Sequence, residues 1–299
     1  MTDEFKKSYD HIRGGDTGFF EQSRGLIAVS GKEAVKFLNG LITNDVEKLA
    51  DGEQMLAAFP NAQGRLLAVV RVIRQAERFL FESDEATRQK VFDYLFRFTY
   101  AGDFFVEELS GGMRFFSIFG KSFLPSTPPF IELENVYGSD YFVDAADADD
   151  FLTELTNIDA VKVSDELYET LRIESGIPLY GVDMDETTIV PELGIEGLVS
   201  YNKGCYIGQE IIARIHFRGH VAKQLTGVIW NDEAESDADE AVLVSSDGKN
   251  AGRITSRTFS RKLGREVALV FARYDYLVEG TELNAAGRPA KRKTLPIVR

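Results

Sequence analysis

The feature that most constrains this chain is a change of texture just after Arg218. Before it, apolar residues recur at helical and strand spacing by turns, as in a layered α and β region. After it come only short strand-like runs: Leu225–Trp230, Ala241–Ser245, Ala251–Ser256 and Glu266–Phe271. Short strands bounded by turn residues read as a small barrel or sandwich. A boundary near Gly219–Lys223 therefore divides the chain into a mixed region, 1–220, and a β-rich module, 221–299.

In the mixed region, Gly25–Gly31 reads as a strand and turn, followed by a helix over Lys32–Leu41 with Ala34, Phe37, Leu38 and Leu41 on one face. Gln54–Phe59, Arg65–Ile73 and Arg78–Glu82 read as strands, with a turn at Pro60–Gly64. Asp84–Phe98 reads as a helix, Phe104–Glu108, Arg114–Phe119 and Tyr141–Val143 as strands, and Asp147–Thr156 as a helix. Three prolines in Ser122–Phe130 exclude regular structure there. The clearest helix is Ser164–Glu174: Ser164 caps it, Leu167 and Leu171 form its stripe, and Gly176 with Pro178 end it.

Charge narrows the function classes. Over 299 residues the formal net charge is −14, which disfavours general affinity for nucleic acid or anionic membrane. Six acids crowd Asp232–Glu240, as in a solvated loop. The segment 249–299 reverses the sign, with twelve Lys/Arg against four Asp/Glu. It is either a basic face toward an acidic body or a nucleic-acid footprint. No apolar run has the length of a membrane span, and the first residues resemble neither a signal nor a transit peptide. One cysteine, Cys205, excludes an internal disulfide and suggests a reducing, cytoplasmic setting.

Two stretches carry candidate chemistry. In Arg172–Asp183, Leu167, Leu171 and Glu174 share a helical face, so a carboxylate lies on a buried stripe. It needs a hydrogen-bonding partner. That partner is either a group within the fold, such as a backbone amide or an Arg, or a ligand with paired N–H donors, such as the amino-pyrimidinone edge of a pterin. Tyr168 and Tyr180 lie near enough in sequence to supply an aromatic wall. In Tyr201–Gly219, Cys205 stands beside Lys203, whose charge favours thiolate, and between Gly204 and Gly208. A lone cysteine is also commonly an inert small hydrophobe. Glu210 and Arg214 pair if the segment is helical, although alternation over Glu210–Phe217 also permits a strand. His216 and His220 sit four apart near Cys205, but Gly219 interrupts a helix and no fourth ligand is marked, so no metal site is read.

These residues bring a family into view. Lys203, Gly204, Cys205, Tyr206, Gly208, Gln209, Glu210 and Arg214 meet every fixed position of K-G-C-[FY]-x-G-Q-E-x3-R, and the sequence resembles the YgfZ-type branch of the aminomethyltransferase-like (GcvT-like) superfamily. Val29–Val46, Asn61–Leu67 and Arg172–Gly181 match further family segments in order. The resemblance implies an α+β fold with mixed α/β domains around a central cavity, plus a small C-terminal β-barrel. It implies tetrahydrofolate or another reduced folate as cofactor, with Glu174 on the pterin, Lys203 lining the cavity, and weaker contacts at Tyr168 and Arg24. It implies a cytoplasmic protein supporting iron–sulfur enzymes, including tRNA-modifying ones, with iron–sulfur client or assembly proteins as partners and Cys205 as the reactive thiol. Direct nucleic-acid binding is not implied. Where aminomethyltransferases carry catalytic aspartates after the Asn61–Gly64 turn, this chain has Ala68 and Val69, which argues against aminomethyl transfer. A folate-dependent one-carbon transferase and an RNA-binding module through the basic segment are the alternatives.

Overall fold

A computed structural model of the chain describes residues 2–121, 123–126, 129–233 and 241–298. Six helices and three β systems compose it: α1 (Asp3–Arg13), α2 (Ala34–Leu41), α3 (Glu85–Phe96), α4 (Ala148–Asn157), α5 (Asp165–Ser175) and α6 (Gln209–Arg218). None of these helices is long and apolar enough to cross a membrane.

The first sheet runs, in order, Val161–Lys162, Gly18–Gln22, Met113–Phe119, Gly138–Asp144 and Ile131–Asn135. The second runs Gln54–Pro60, Leu66–Gln75, Arg78–Asp84, Arg24–Ser30 and Phe105–Glu108. Only Ser23 separates a strand of the first sheet from a strand of the second, so the two are interleaved along the chain. Successive residues of a strand face opposite sides of its sheet, and the central strands are buried on both: Leu26 and Ala28 pack in one core, Ile27 and Val29 in another. In the second sheet, Ile27, Val29, Val70, Val72, Phe79 and Phe81 face a core closed by α2 and α3.

The last six strands, from Lys223 to Lys293, close into a barrel. Alternate residues such as Val228, Trp230, Ala268 and Val270 fill it, and closure leaves no unpaired sheet edge. Of the expected irregular stretch 122–130, Ser122, Thr127 and Pro128 lie outside the described residues, as do 234–240 of the acidic run.

Helix α5 begins and ends as its sequence indicates. Ser164 Oγ accepts the Leu167 N–H at 3.3 Å, and Gly176 adopts φ +76°. Its Arg172 is buried, donating to Asp183 at 2.8 Å and to Ser256 Oγ at 2.9 Å. Asp183 also accepts from Thr255 and Ser256 hydroxyls. This network fixes α5 against the barrel and sets where its C-terminal end emerges.

Sequence reading did not identify α1. Its Phe5, Tyr9 and Ile12 are buried at helical spacing, and Thr2 caps it. The open choice at Glu210–Phe217 resolves as helix α6, yet Glu210 and Arg214 do not pair. Glu210 and Arg214 are solvated.

Candidate functional site

Between the two sheets and the C-terminal end of α5 lies a cavity of about 560 Å³, within the size range of sites that bury small ligands. Phe115, Tyr137 and Tyr168 give it aromatic walls, and Leu56, Val69 and Met184 are among its apolar lining. Tyr168 is held by stacking on Phe20, ring centres 4.2 Å apart, and by a 3.4 Å hydrogen bond to its hydroxyl from Gln22.

The polar wall is a chain of alternating charge. Arg24 pairs with Asp84 and, at 2.5 Å, with Glu82. Arg71 donates to the other Glu82 oxygen at 2.7 Å and to Asp140 at 2.6 Å. Strand register builds this: Arg24 stands opposite Asp84, and Arg71 opposite Glu82. Burial would raise the Glu82 pKa, but Arg24 and Arg71 outweigh it and hold it at about 2. Asp140 additionally accepts from Asn135 at 2.7 Å and from the Tyr137 hydroxyl at 3.0 Å. Both guanidiniums lie over the Phe115 ring, 5.8 and 6.0 Å from its centre. None of this network except Arg24 was singled out from sequence; an Arg and a Glu at facing inward strand positions are the signal that would have found it.

Of the residues expected at a ligand, Arg24 and Tyr168 line the cavity. Glu174 is not among its lining residues, although the adjoining Ser175 and Gly176 are. Its carboxylate is fully buried, with one oxygen accepting from Tyr9 at 2.7 Å and from Ser260, and the other paired with Arg13. The stripe position was read correctly as buried, and partners within the fold satisfy it. Arg13 lines a separate recess of about 390 Å³ beneath α1.

Lys203 also stands outside the cavity lining. Its ammonium donates to the carbonyls of Ile42 at 2.9 Å and Asn44 at 2.5 Å and lies 5.1 Å from the Tyr206 ring centre. Burial lowers its pKa to about 8, with Asp45 opposing. A side chain expected to meet ligand instead ties the loop before α6 to the loop after α2. Tyr180 sits one step behind the cavity wall: its N–H donates to Asp84 at 3.3 Å and its hydroxyl accepts from Lys90 at 3.1 Å.

The remaining motif residues divide between packing and surface. Tyr206 is buried in a core shared with the barrel. Gly208 has φ +79°, and a Cβ there would stand 2.4 Å from the Asn61 carbonyl oxygen. This close approach docks the motif on the Asn61–Gly64 turn. Gln209 starts α6 with its N–H on the Tyr206 carbonyl at 3.2 Å. Gly204 and Cys205 are exposed. The histidines diverge: His216 stacks on Tyr201 at 3.6 Å and His220 on Tyr274 at 3.7 Å. Among the described residues no cluster of His, Cys, Asp or Glu is placed to hold a metal. In the basic segment, Arg261 pairs with Asp10, and Arg292 and Lys293 with Glu279.

Comparison with known proteins agrees with this architecture. The GCVT N-terminal domain family matches residues 2–122. Aminomethyltransferase of Bartonella henselae, from the glycine cleavage system, superposes with a TM-score of 0.85 over 98% of this chain and 89% of its own, at 21% identity. An aminomethyltransferase of Rubrobacter xylanophilus is 26% identical over 94% of this chain and 82% of its own length. The chain belongs to the aminomethyltransferase-like superfamily. The tRNA-modifying protein YgfZ of Hamiltonella defensa is 30% identical over 67% of this chain and 66% of its own. The iron–sulfur cluster assembly factor IBA57 homologue of Mycosarcoma maydis is 28% identical over 68% of this chain but only 54% of its own. With the eight-residue cysteine motif, these relatives put the chain on the YgfZ-type branch.

Proposed function

We propose that this protein holds a reduced folate, tetrahydrofolate or a one-carbon derivative of it, in the central cavity and supports the assembly or repair of iron–sulfur enzymes, tRNA-modifying ones among them. The cavity carries the reading: flat aromatic walls suit a flat heterocycle, and the charged wall offers hydrogen-bond acceptors to its donor edge. The names of the YgfZ and IBA57 relatives support the iron–sulfur role.

Aminomethyl transfer is disfavoured. The cavity position following the Asn61–Gly64 turn is the apolar Val69, and the buried acids Glu82 and Asp140 are held by guanidiniums rather than free to move a proton. Cys205 is exposed on the loop before α6 and is not among the cavity lining, which supports a role toward a protein partner rather than the folate. One thiolate falls short of the roughly four ligands of an ordinary cluster, so its contribution is shared with that partner or is redox in kind.

Calorimetric titration with tetrahydrofolate tests the binding half. Val69→Trp, which fills the cavity, is expected to abolish the signal, while Cys205→Ala retains it. An undiminished signal in Val69→Trp would move the ligand elsewhere. For the second half, Cys205→Ala should fail to restore iron–sulfur enzyme activity in a deletion strain; restoration equal to wild type would remove the thiol from the mechanism.

A further inference from the structure

The buried charge chain on the cavity wall is unbalanced. Asp84, Arg24, Glu82, Arg71 and Asp140 alternate in sign, with carboxylates at both ends and in the middle. Two guanidiniums therefore face three carboxylates. Among the described residues lining the cavity, Arg24 and Arg71 are the sole cations, and Glu134 adds a further acid at the exposed rim. Asn135 and Tyr137 donate hydrogen bonds to Asp140, which spread its charge without cancelling it. A buried charge lacking a counter-ion is costly, and aromatic walls at Phe115, Tyr137 and Tyr168 add their own attraction for a cation.

We propose that the buried part of the ligand carries a delocalised positive charge, and that among reduced folates the cavity selects the 5,10-methenyl form. This rests on the folate reading above and adds the one-carbon state to it. The imidazolinium ring of methenyltetrahydrofolate is flat and cationic. 5-Formyltetrahydrofolate has the same oxidation level but is neutral at that position, the two differing by one water and one proton. Since both bear the same glutamyl tail, the difference in their binding isolates the charge.

The experiment is calorimetry with methenyltetrahydrofolate, 5-formyltetrahydrofolate and tetrahydrofolate, in mildly acidic buffer that keeps the methenyl ring closed. Wild type should bind the methenyl form at least about tenfold more tightly than the formyl form, the order expected for one charge pair across several ångströms at intermediate dielectric. Asp140→Asn should bring the ratio close to one. Because that change leaves Arg71 short of a partner, Val69→Lys provides a second route: it adds a cation from a cavity-lining position without touching the network, and should also erase the preference. Equal affinities in wild type, or a preference that survives Val69→Lys, would overturn the inference while leaving folate binding intact. Failure of all three folates to bind wild type would overturn both.

Discussion

Replacing Glu174 by alanine distinguishes a structural tie from a ligand anchor. The substitution leaves Arg13, with its side chain 22% exposed, facing a buried site without its carboxylate. Breaking a buried pair by removing one partner destabilises by roughly 3–5 kcal/mol, and the partial exposure of Arg13 favours the lower end. The hydroxyls lose less: Tyr9 still accepts the Lys262 N–H at 3.1 Å, and Ser260 the Leu263 N–H at 3.3 Å. The expected loss is about 3 kcal/mol, which at about 2–3 °C per kcal/mol lowers Tm by about 6–9 °C. Urea unfolding followed through Trp230, the one tryptophan and fully buried in the barrel, reports it directly. Tetrahydrofolate affinity, measured well below the transition, should change less than about twofold, since Glu174 is not part of the cavity lining. A variant of unchanged stability whose folate affinity falls tenfold would refute this reasoning and return Glu174 to the ligand.

Three further substitutions probe separate elements. Gly208→Ala forces a Cβ against the Asn61 carbonyl at positive φ and should destabilise by about 1–3 kcal/mol in urea titration; a neutral result would mean that the motif does not dock on the turn as described. The depressed Glu82 pKa, about 2 against an ordinary 4.5, means its stabilisation is complete above pH 4.5 and is lost as pH falls toward 2. Unfolding free energies of wild type should therefore drop more steeply across that window than those of Glu82→Gln, and parallel curves would contradict it. Lys203 works in the opposite sense. Its folded pKa, near 8, lies below the ordinary 10.5, so the unfolded chain binds the extra proton and this residue makes stability rise with pH between those values. Lys203→Met should lack that increment; an identical pH profile for the variant would count against it.

The fold was largely legible because its signals are local. The cap at Ser164 and the glycine at 176 each need only a few neighbours, and both lie where expected; the alternation over Glu210–Phe217 permitted a strand, and the segment is helix α6. Helix α1 was legible in principle, since Phe5, Tyr9 and Ile12 carry helical spacing. The site was harder to read because its chemistry is distributed: Arg24, Arg71 and Glu82 come from three strands of one sheet, joined by register, and Asp140 from the other sheet, joined by the packing of the two. Spacing correctly put Glu174 on a buried face but could not tell a ligand's donors from Arg13, which lies 161 positions away. Lys203 shows the same limit: the motif fixes its identity, while its partners Ile42 and Asn44 sit in a distant loop.

Helix α1 is clasped by residues near the other end of the chain: Arg261 grips Asp10 through two hydrogen bonds of 2.7 Å, and the Lys262 amide meets Tyr9. The barrel thus reaches back across the mixed region to a helix residue 251 positions earlier in the sequence. The apolar face of α1 meanwhile packs on Phe119, Val163, Leu167 and Leu171, so the clasp from the barrel adds to a docking that the mixed region already provides. A change in α1 is thus felt in the barrel, and neither element loosens without disturbing the other.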